Sequence, residues 1–146
     1  MTTQEEDKLE HVMSSPVITI ESKENVGSAA KIMVQHDIGS VVVVEGKKPI
    51  GIMTERDITK EVVKGDGLLK VPVKNIMTKK LVTAKPEMPL QEAFELMLRN
   101  KIRRLPILEN DILVGIVTEK DLMRWVLRVS YEPNIPQHIK MILDAK

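Results

Sequence analysis

Gly51-Ile52-Met53-Thr54-Glu55-Arg56-Asp57-Ile58 and Gly115-Ile116-Val117-Thr118-Glu119-Lys120-Asp121-Leu122 are two versions of one phrase, sixty-four residues apart. The same spacing pairs Met13 with Met77, Thr19 with Thr83, Ala29 with Ala93, Met33 with Met97, Ile38 with Ile102 and Glu45 with Glu109. No gap is needed from Val12 and Ile76 to Val62 and Val126. The chain therefore reads as a duplicated unit, each copy to be read once and checked against the other.

Outward from that phrase, each copy gives the same order of elements. Val17 to Ile20 and Leu81 to Ala84 read as short strands. Val26, Ala29, Ala30 and Met33 recur at helical spacing, as do Leu90, Ala93, Phe94 and Met97. Strands follow at Ser40 to Glu45 and Arg104 to Glu109, with turns at Gly46-Lys47-Lys48 and Asn110-Asp111. Return strands run from Ile50 to Met53 and Ile112 to Val117, then helices from Thr54 to about Val63 and from Thr118 to about Val129. The expected class is α+β: two pseudo-symmetric β-α-β-β-α units packed sheet to sheet, because neither copy is large enough to bury much core alone. The expected organisation is a polar, helical lead-in over 1–11 and a first unit over 12–64. A Gly65- and Gly67-bearing linker over 65–75 leads to a second unit over 76–129. Residues 130–146 form a tail in which Ile139, Ile142 and Leu143 suggest a short helix.

Thr54 and Thr118 stand where helix N-caps belong, with Asp57 and Asp121 three residues on, an acidic form of the capping box. A helix start is also an anion site, through unpaired N–H groups and the positive dipole end. A carboxylate beside it can accept hydrogen bonds from a ribose diol. The pattern thus supports a structural cap and a nucleotide half-site alike.

Two units of this kind resemble a CBS domain pair, or Bateman module. The resemblance covers roughly Leu9 to Val129. It rests on Val12-Met13 and Ile76-Met77-Thr78, on the helices ending Met33-Val34 and Met97-Leu98, and on the twice-present Gly-x-x-Thr-x-x-Asp. It implies a regulatory module that binds adenosine-containing ligands (AMP, ADP, ATP or S-adenosylmethionine) in clefts between units. By that resemblance Asp57 and Asp121 take ribose hydroxyls and Thr54 and Thr118 take phosphate. Thr19 and Thr83 meet adenine, and Ile38 and Ile102 wall the base. Lys101-Ile102-Arg103-Arg104-Leu105-Pro106 further resembles a phosphate-binding stretch in the gamma subunit of AMP-activated protein kinase. The guanidiniums of Arg103 and Arg104 suit phosphate, whereas the matching Gly39 and Ser40 are uncharged.

Composition narrows the rivals. A net charge of +1 gives no global field for nucleic acid, and Phe94, Trp125 and Tyr131 are too few for a base-stacking surface. A nucleic-acid binder or a ligand-free scaffold using the same architecture remain as alternatives, since Arg99, Lys101, Arg103 and Arg104 make one basic patch. No pattern of an activated nucleophile or poised acid–base pair is present, so no enzyme is expected. His11, His36 and His138 share no ligand spacing, and no metal is expected. Apolar runs are too short to span a bilayer. The absence of Cys and of a secretory leader favours the cytoplasm. Ile58, Val62 and Val63, then Leu122, Trp125, Val126 and Val129, put apolar residues on more than one helix face. A homodimer with Trp125 near its interface is expected, acting on an effector protein that the sequence does not identify.

Overall fold

A computed structural model describes residues 7–144. The first unit contains β1 (Thr19–Glu21), α1 (Val26–His36), β2 (Ser40–Glu45), β3 (Lys48–Thr54) and α2 (Glu55–Val62). The second contains α3 (Leu90–Asn100), β4 (Arg104–Glu109), β5 (Ile112–Thr118) and α4 (Glu119–Tyr131), followed by α5 (Gln137–Asp144). β1 lies parallel to β2, and β2 antiparallel to β3. β4 and β5 form the matching antiparallel pair, and the units meet with β3 against β5. Both hairpins break register at the same place, between Val43 and Val44 and between Ile107 and Leu108.

The strand expected at Leu81 to Ala84 shrinks to one parallel bridge, Ala84 to Ile107. Two prolines explain the loss. In the first unit the Ser22 N–H extends the ladder by donating to the Val44 carbonyl at 3.0 Å; the equivalent residue, Pro86, has no N–H. Pro106 replaces Val42 in the partner strand and cannot donate either. Ala84 keeps only its own two bonds, from its N–H to the Pro106 carbonyl (3.1 Å) and from the Leu108 N–H to its carbonyl (2.8 Å).

The two cores exchange their opening residues. Ile20, Val26, Ala29, Met33, Val41, Val43 and Met53 form the first core, and it is completed by Val73, from the segment that leads into the second unit. Ala84, Leu90, Ala93, Met97, Leu105, Ile107, Val117 and Leu122 form the second, completed by Leu9 from the N-terminal side. Leu9 and Val73 are both fully buried and are themselves equivalent in the repeat. Their N–H groups make equivalent bonds, to the Met88 carbonyl at 2.9 Å and the Glu24 carbonyl at 2.8 Å. Full burial of such a side chain contributes about 1.5–3 kcal/mol, so each unit is stabilised by a residue that precedes the other. The described part of the lead-in is thus a bridge at Lys8 and a 3-10 turn at Leu9–His11; residues 2–6 of the expected helix lie outside the described residues.

The same crossing continues along the chain. Ser14 exchanges two backbone bonds with Ile116 (2.9 and 3.1 Å), and Thr78 with Ile52 (2.9 and 3.0 Å). Each unit's lead segment therefore lies along the other unit's return strand. This explains the glycine that opens the motif. A Cβ on Gly51 would stand 2.7 Å from Met77 Sδ and 2.8 Å from the Thr78 carbonyl oxygen. One on Gly115 would collide with Met13 Sδ.

At the far end, α5 packs on α4, with Leu143 buried and Arg128 4.0 Å from Asp144. Trp125 packs against the second core, and its indole N–H donates to Asp7 Oδ2 at 2.6 Å. The large hydrophobic side chains of α4 that stay exposed are Met123, Val126, Val129 and Tyr131. No helix among the described residues is long and apolar enough to cross a membrane.

Candidate functional site

Both Thr–Asp pairs are fully formed caps. The Asp57 N–H donates to Thr54 Oγ1 at 3.2 Å, and Asp57 Oδ2 accepts from the Thr54 N–H (2.9 Å) and hydroxyl (3.1 Å). Thr118 and Asp121 repeat this at 3.3, 2.9 and 3.0 Å. The Thr78 hydroxyl adds a bond to Asp57 Oδ1 at 3.3 Å. The first N–H of each helix is used as well: Glu55 donates to the Gly39 carbonyl at 3.1 Å, and Glu119 to the Arg103 carbonyl at 2.8 Å. The helix starts are therefore not open anion sites of several donors, as the sequence suggested. The second-position N–H groups, of Arg56 and Lys120, are what the caps leave over. In both carboxylates the cap uses Oδ2 rather than Oδ1.

Two clefts open along the seam between the units, each made from both. The first, about 480 Å³, joins Pro16, Val17, Ile18 and Ile38 of the first unit to Ile116, Thr118, Lys120 and Met123 of the second. The second, about 580 Å³, reverses the roles: Val82 and Ile102 of the second unit face Ile52, Thr54 and Arg56 of the first. An apolar wall from one copy thus opposes the capped helix start of the other. The left-handed residues ending α1 and α3, Asp37 (φ 51°) and Lys101 (φ 54°), deliver Ile38 and Ile102 to those walls. The Ile38 and Ile102 N–H groups fix the turns by bonding to the Met33 and Met97 carbonyls at 2.9 and 3.0 Å. Volumes of this size suit a small-molecule ligand of drug or cofactor dimensions.

The anticipated site residues divide. Ile38 and Thr118 meet in the first cleft, Ile102 and Thr54 in the second, and Arg103 and Arg104 line both. Asp57 and Asp121 sit one position behind the rims, with their side chains folded back onto the caps, and line neither. Thr19 and Thr83 also line neither cleft; they border separate depressions of about 450 and 820 Å³. Their chain neighbours Ile18 and Val82 line the clefts instead. Sequence reasoning passed over Lys80, which enters the second cleft where Pro16 enters the first.

Charge separates the clefts. The second holds Arg56, Lys80, Lys101, Arg103 and Arg104 against one carboxylate, Glu55. In the first, Lys120, Arg103 and Arg104 face Asp37 and Glu119. Arg103 is exposed and lies 3.7 Å from Glu119, a pair of little energetic weight. Arg104 is half-buried at the seam, where desolvation lowers its pKa, opposed by Glu55 and Glu119 and reinforced by Arg103. It remains a cation at neutral pH, as any arginine does.

The model of the CBS domain matches residues 9–64 and 73–128, covering both units and both crossing segments. A CBS domain-containing protein of Bacillus subtilis, YhcV, is 37% identical over 110 residues, spanning 75% of this chain and 79% of that protein. An inosine-5'-monophosphate dehydrogenase of Korarchaeum cryptofilum is 40% identical over 107 residues, 73% of this chain but only 21% of the dehydrogenase. Among solved structures, the CBS domain pair of protein MJ0100, in complex with 5'-methylthioadenosine and S-adenosyl-L-methionine, superposes with a TM-score of 0.76 at 30% identity. That match covers 82% of this chain and 95% of the other.

Proposed function

This chain belongs to the CBS-domain family, whose paired units are regulatory ligand-binding modules, and we propose that its two inter-unit clefts bind adenosine-containing ligands. The observation that carries this reading is the reciprocal construction of the clefts: the apolar wall of each copy is set against the capped Thr of the other. An apolar wall suits a purine face, and the rim of hydroxyl, backbone N–H and guanidinium groups suits ribose and phosphate. The complex of the MJ0100 pair with two adenosine compounds supports the same ligand class, with AMP, ADP, ATP and S-adenosylmethionine as candidates. Dehydrogenase activity is not carried over from a relative of which the chain spans a fifth.

Within this reading Ile38 and Ile102 wall the base, with Ile18 and Val82 beside them in place of Thr19 and Thr83. Thr54 and Thr118 face the phosphate end. Asp57 and Asp121 meet ribose through Oδ1, which lies outside each cap and in Asp57 also accepts from the Thr78 hydroxyl. The module works as a homodimer in the cytoplasm and signals to an effector protein. Exposed Val62 at the end of α2 and its repeat equivalent Val126 on α4, with exposed Met123 and Val129 one helical turn to either side, support the dimer as an unpartnered apolar surface. Sedimentation as a monomer at micromolar concentration would remove that part of the proposal. The ligand reading is tested by thermal shift with AMP, ADP, ATP, S-adenosylmethionine and adenosine. A ligand at ~100 times its dissociation constant should stabilise the fold by roughly 2.7 kcal/mol. No shift with any of them, and a salt-sensitive response to RNA, would favour the nucleic-acid alternative.

A further inference from the structure

The two clefts share one pair of guanidiniums. Gly39, Arg103 and Arg104 line both, so whatever these arginines contribute is drawn on from two sides. Arg104 is placed for this by the absence of a side chain opposite it: a Cβ on Gly39 would stand 2.5 Å from Arg104 Nη2. Its guanidinium is half out of water, yet among the described residues it makes no hydrogen bond or ion pair. A partly desolvated cation whose nearest carboxylates, Glu55 and Glu119, lie beyond ion-pair contact gains from an incoming anion, and a planar fork can direct its paired donors to one phosphate at a time.

The surroundings decide which cleft that phosphate occupies. Outside the shared pair, the second cleft adds Arg56, Lys80 and Lys101 against Glu55. The first adds only Lys120, against Asp37 and Glu119. Building on the adenosine reading above, we infer that a phosphate-bearing ligand takes the second cleft and draws Arg104 and Arg103 there, leaving the first cleft to an adenosine compound without phosphate. A second phosphate entering the first cleft meets two carboxylates with the guanidiniums already engaged, a like-charge encounter that complementarity disfavours. Binding of two phosphate-bearing ligands is therefore mutually antagonistic, and the antagonism is the same whichever binds first. A mixed pair, one phosphorylated and one not, is compatible.

Calorimetric titration of the full chain with AMP and with adenosine tests this. AMP should fill one site per chain, with a second site weaker by about tenfold or more, the scale of one lost charge-assisted contact. Protein preloaded with AMP should still take up adenosine with affinity changed by no more than about twofold. Lys80→Gln combined with Lys101→Gln should weaken the tight AMP site by about tenfold or more while leaving adenosine unchanged. Lys120→Gln should leave that tight site in place. Thermal melting of the variants controls for folding, since all three lysines are exposed. Two equal, independent AMP sites, or a tight site that follows Lys120, would overturn the assignment while leaving adenosine binding intact. Binding of neither AMP nor adenosine would overturn the adenosine reading and the assignment with it.

Discussion

The two clefts have the same frame and different charge. The bulges after Val43 and Ile107, the left-handed residues Asp37 and Lys101, the Thr54 and Thr118 caps and the buried Leu9 and Val73 all recur at equivalent positions. The substitutions that distinguish the clefts fall where the frame is indifferent to charge: Pro16 against Lys80 and Asp37 against Lys101. A duplicated fold can therefore hold its geometry fixed through core, cap and close-approach residues while the lining of each cleft diverges toward its own ligand. Experiments on this comparison either damage the common frame or separate the two linings.

The largest effect is expected at the exchanged core residues. Leu9→Ala should destabilise by about 2–5 kcal/mol, and Val73→Ala by less because fewer buried atoms are lost. Urea unfolding should show one cooperative transition in both variants, since each residue ties the two units together. Separate transitions would mean that the exchange is not structural.

Asp121→Ala comes next and sets the two readings of the motif against each other. Loss of ribose contact should weaken nucleotide binding by about 1.5–3 kcal/mol, the scale of a hydrogen bond to a charged group. Loss of the carboxylate at the helix start should lower stability by only about 0.3–1 kcal/mol. Unchanged calorimetric affinity with a lowered melting temperature would make Asp121 a cap and nothing more.

The glycines should respond unequally. Gly51→Ala drives a methyl against the Thr78 carbonyl, which the paired backbone cannot move, whereas Gly115→Ala presses chiefly on the flexible Met13 side chain. Overpacking of about 1–3 kcal/mol is expected at Gly51 and less at Gly115. Combining Gly115→Ala with Met13→Ala should recover part of the loss; simple additivity in a double-mutant cycle would contradict the close approach. Smaller still is Thr118→Ala, expected to lower stability by about 1 kcal/mol, with the same result for Thr54→Ala because the two caps share their geometry.

Local features of the fold were legible and exchanged ones were not. β2 and β4 run over the residues that the turns at Gly46-Lys47-Lys48 and Asn110-Asp111 bound, because turn signals act between near neighbours. The Pro86 and Pro106 effect on the missing strand was also open to sequence reasoning, which weighed the apolar run and not the lost donors. Leu9 and Val73 were assigned to a lead-in and a linker, since periodicity reports which face is buried and never against which partner. Extending the repeat's register to Leu9 and Val73 would have exposed the equivalence. Of the residues that line the clefts, Ile38 and Ile102 were anticipated from the family resemblance and both threonines from the motif. The shared position of Arg103 and Arg104 could not be anticipated, because it depends on the seam where two copies meet.

The most direct test removes the shared cations. Arg103→Ala combined with Arg104→Ala should abolish most of the discrimination between AMP and adenosine in calorimetric titration, and the wild-type preference should fade with added salt. Adenosine should bind almost as before, because in the proposed reading its contacts come from Ile102, Val82 and the motif residues. Equal losses for AMP and adenosine, or no loss for either, would contradict the account.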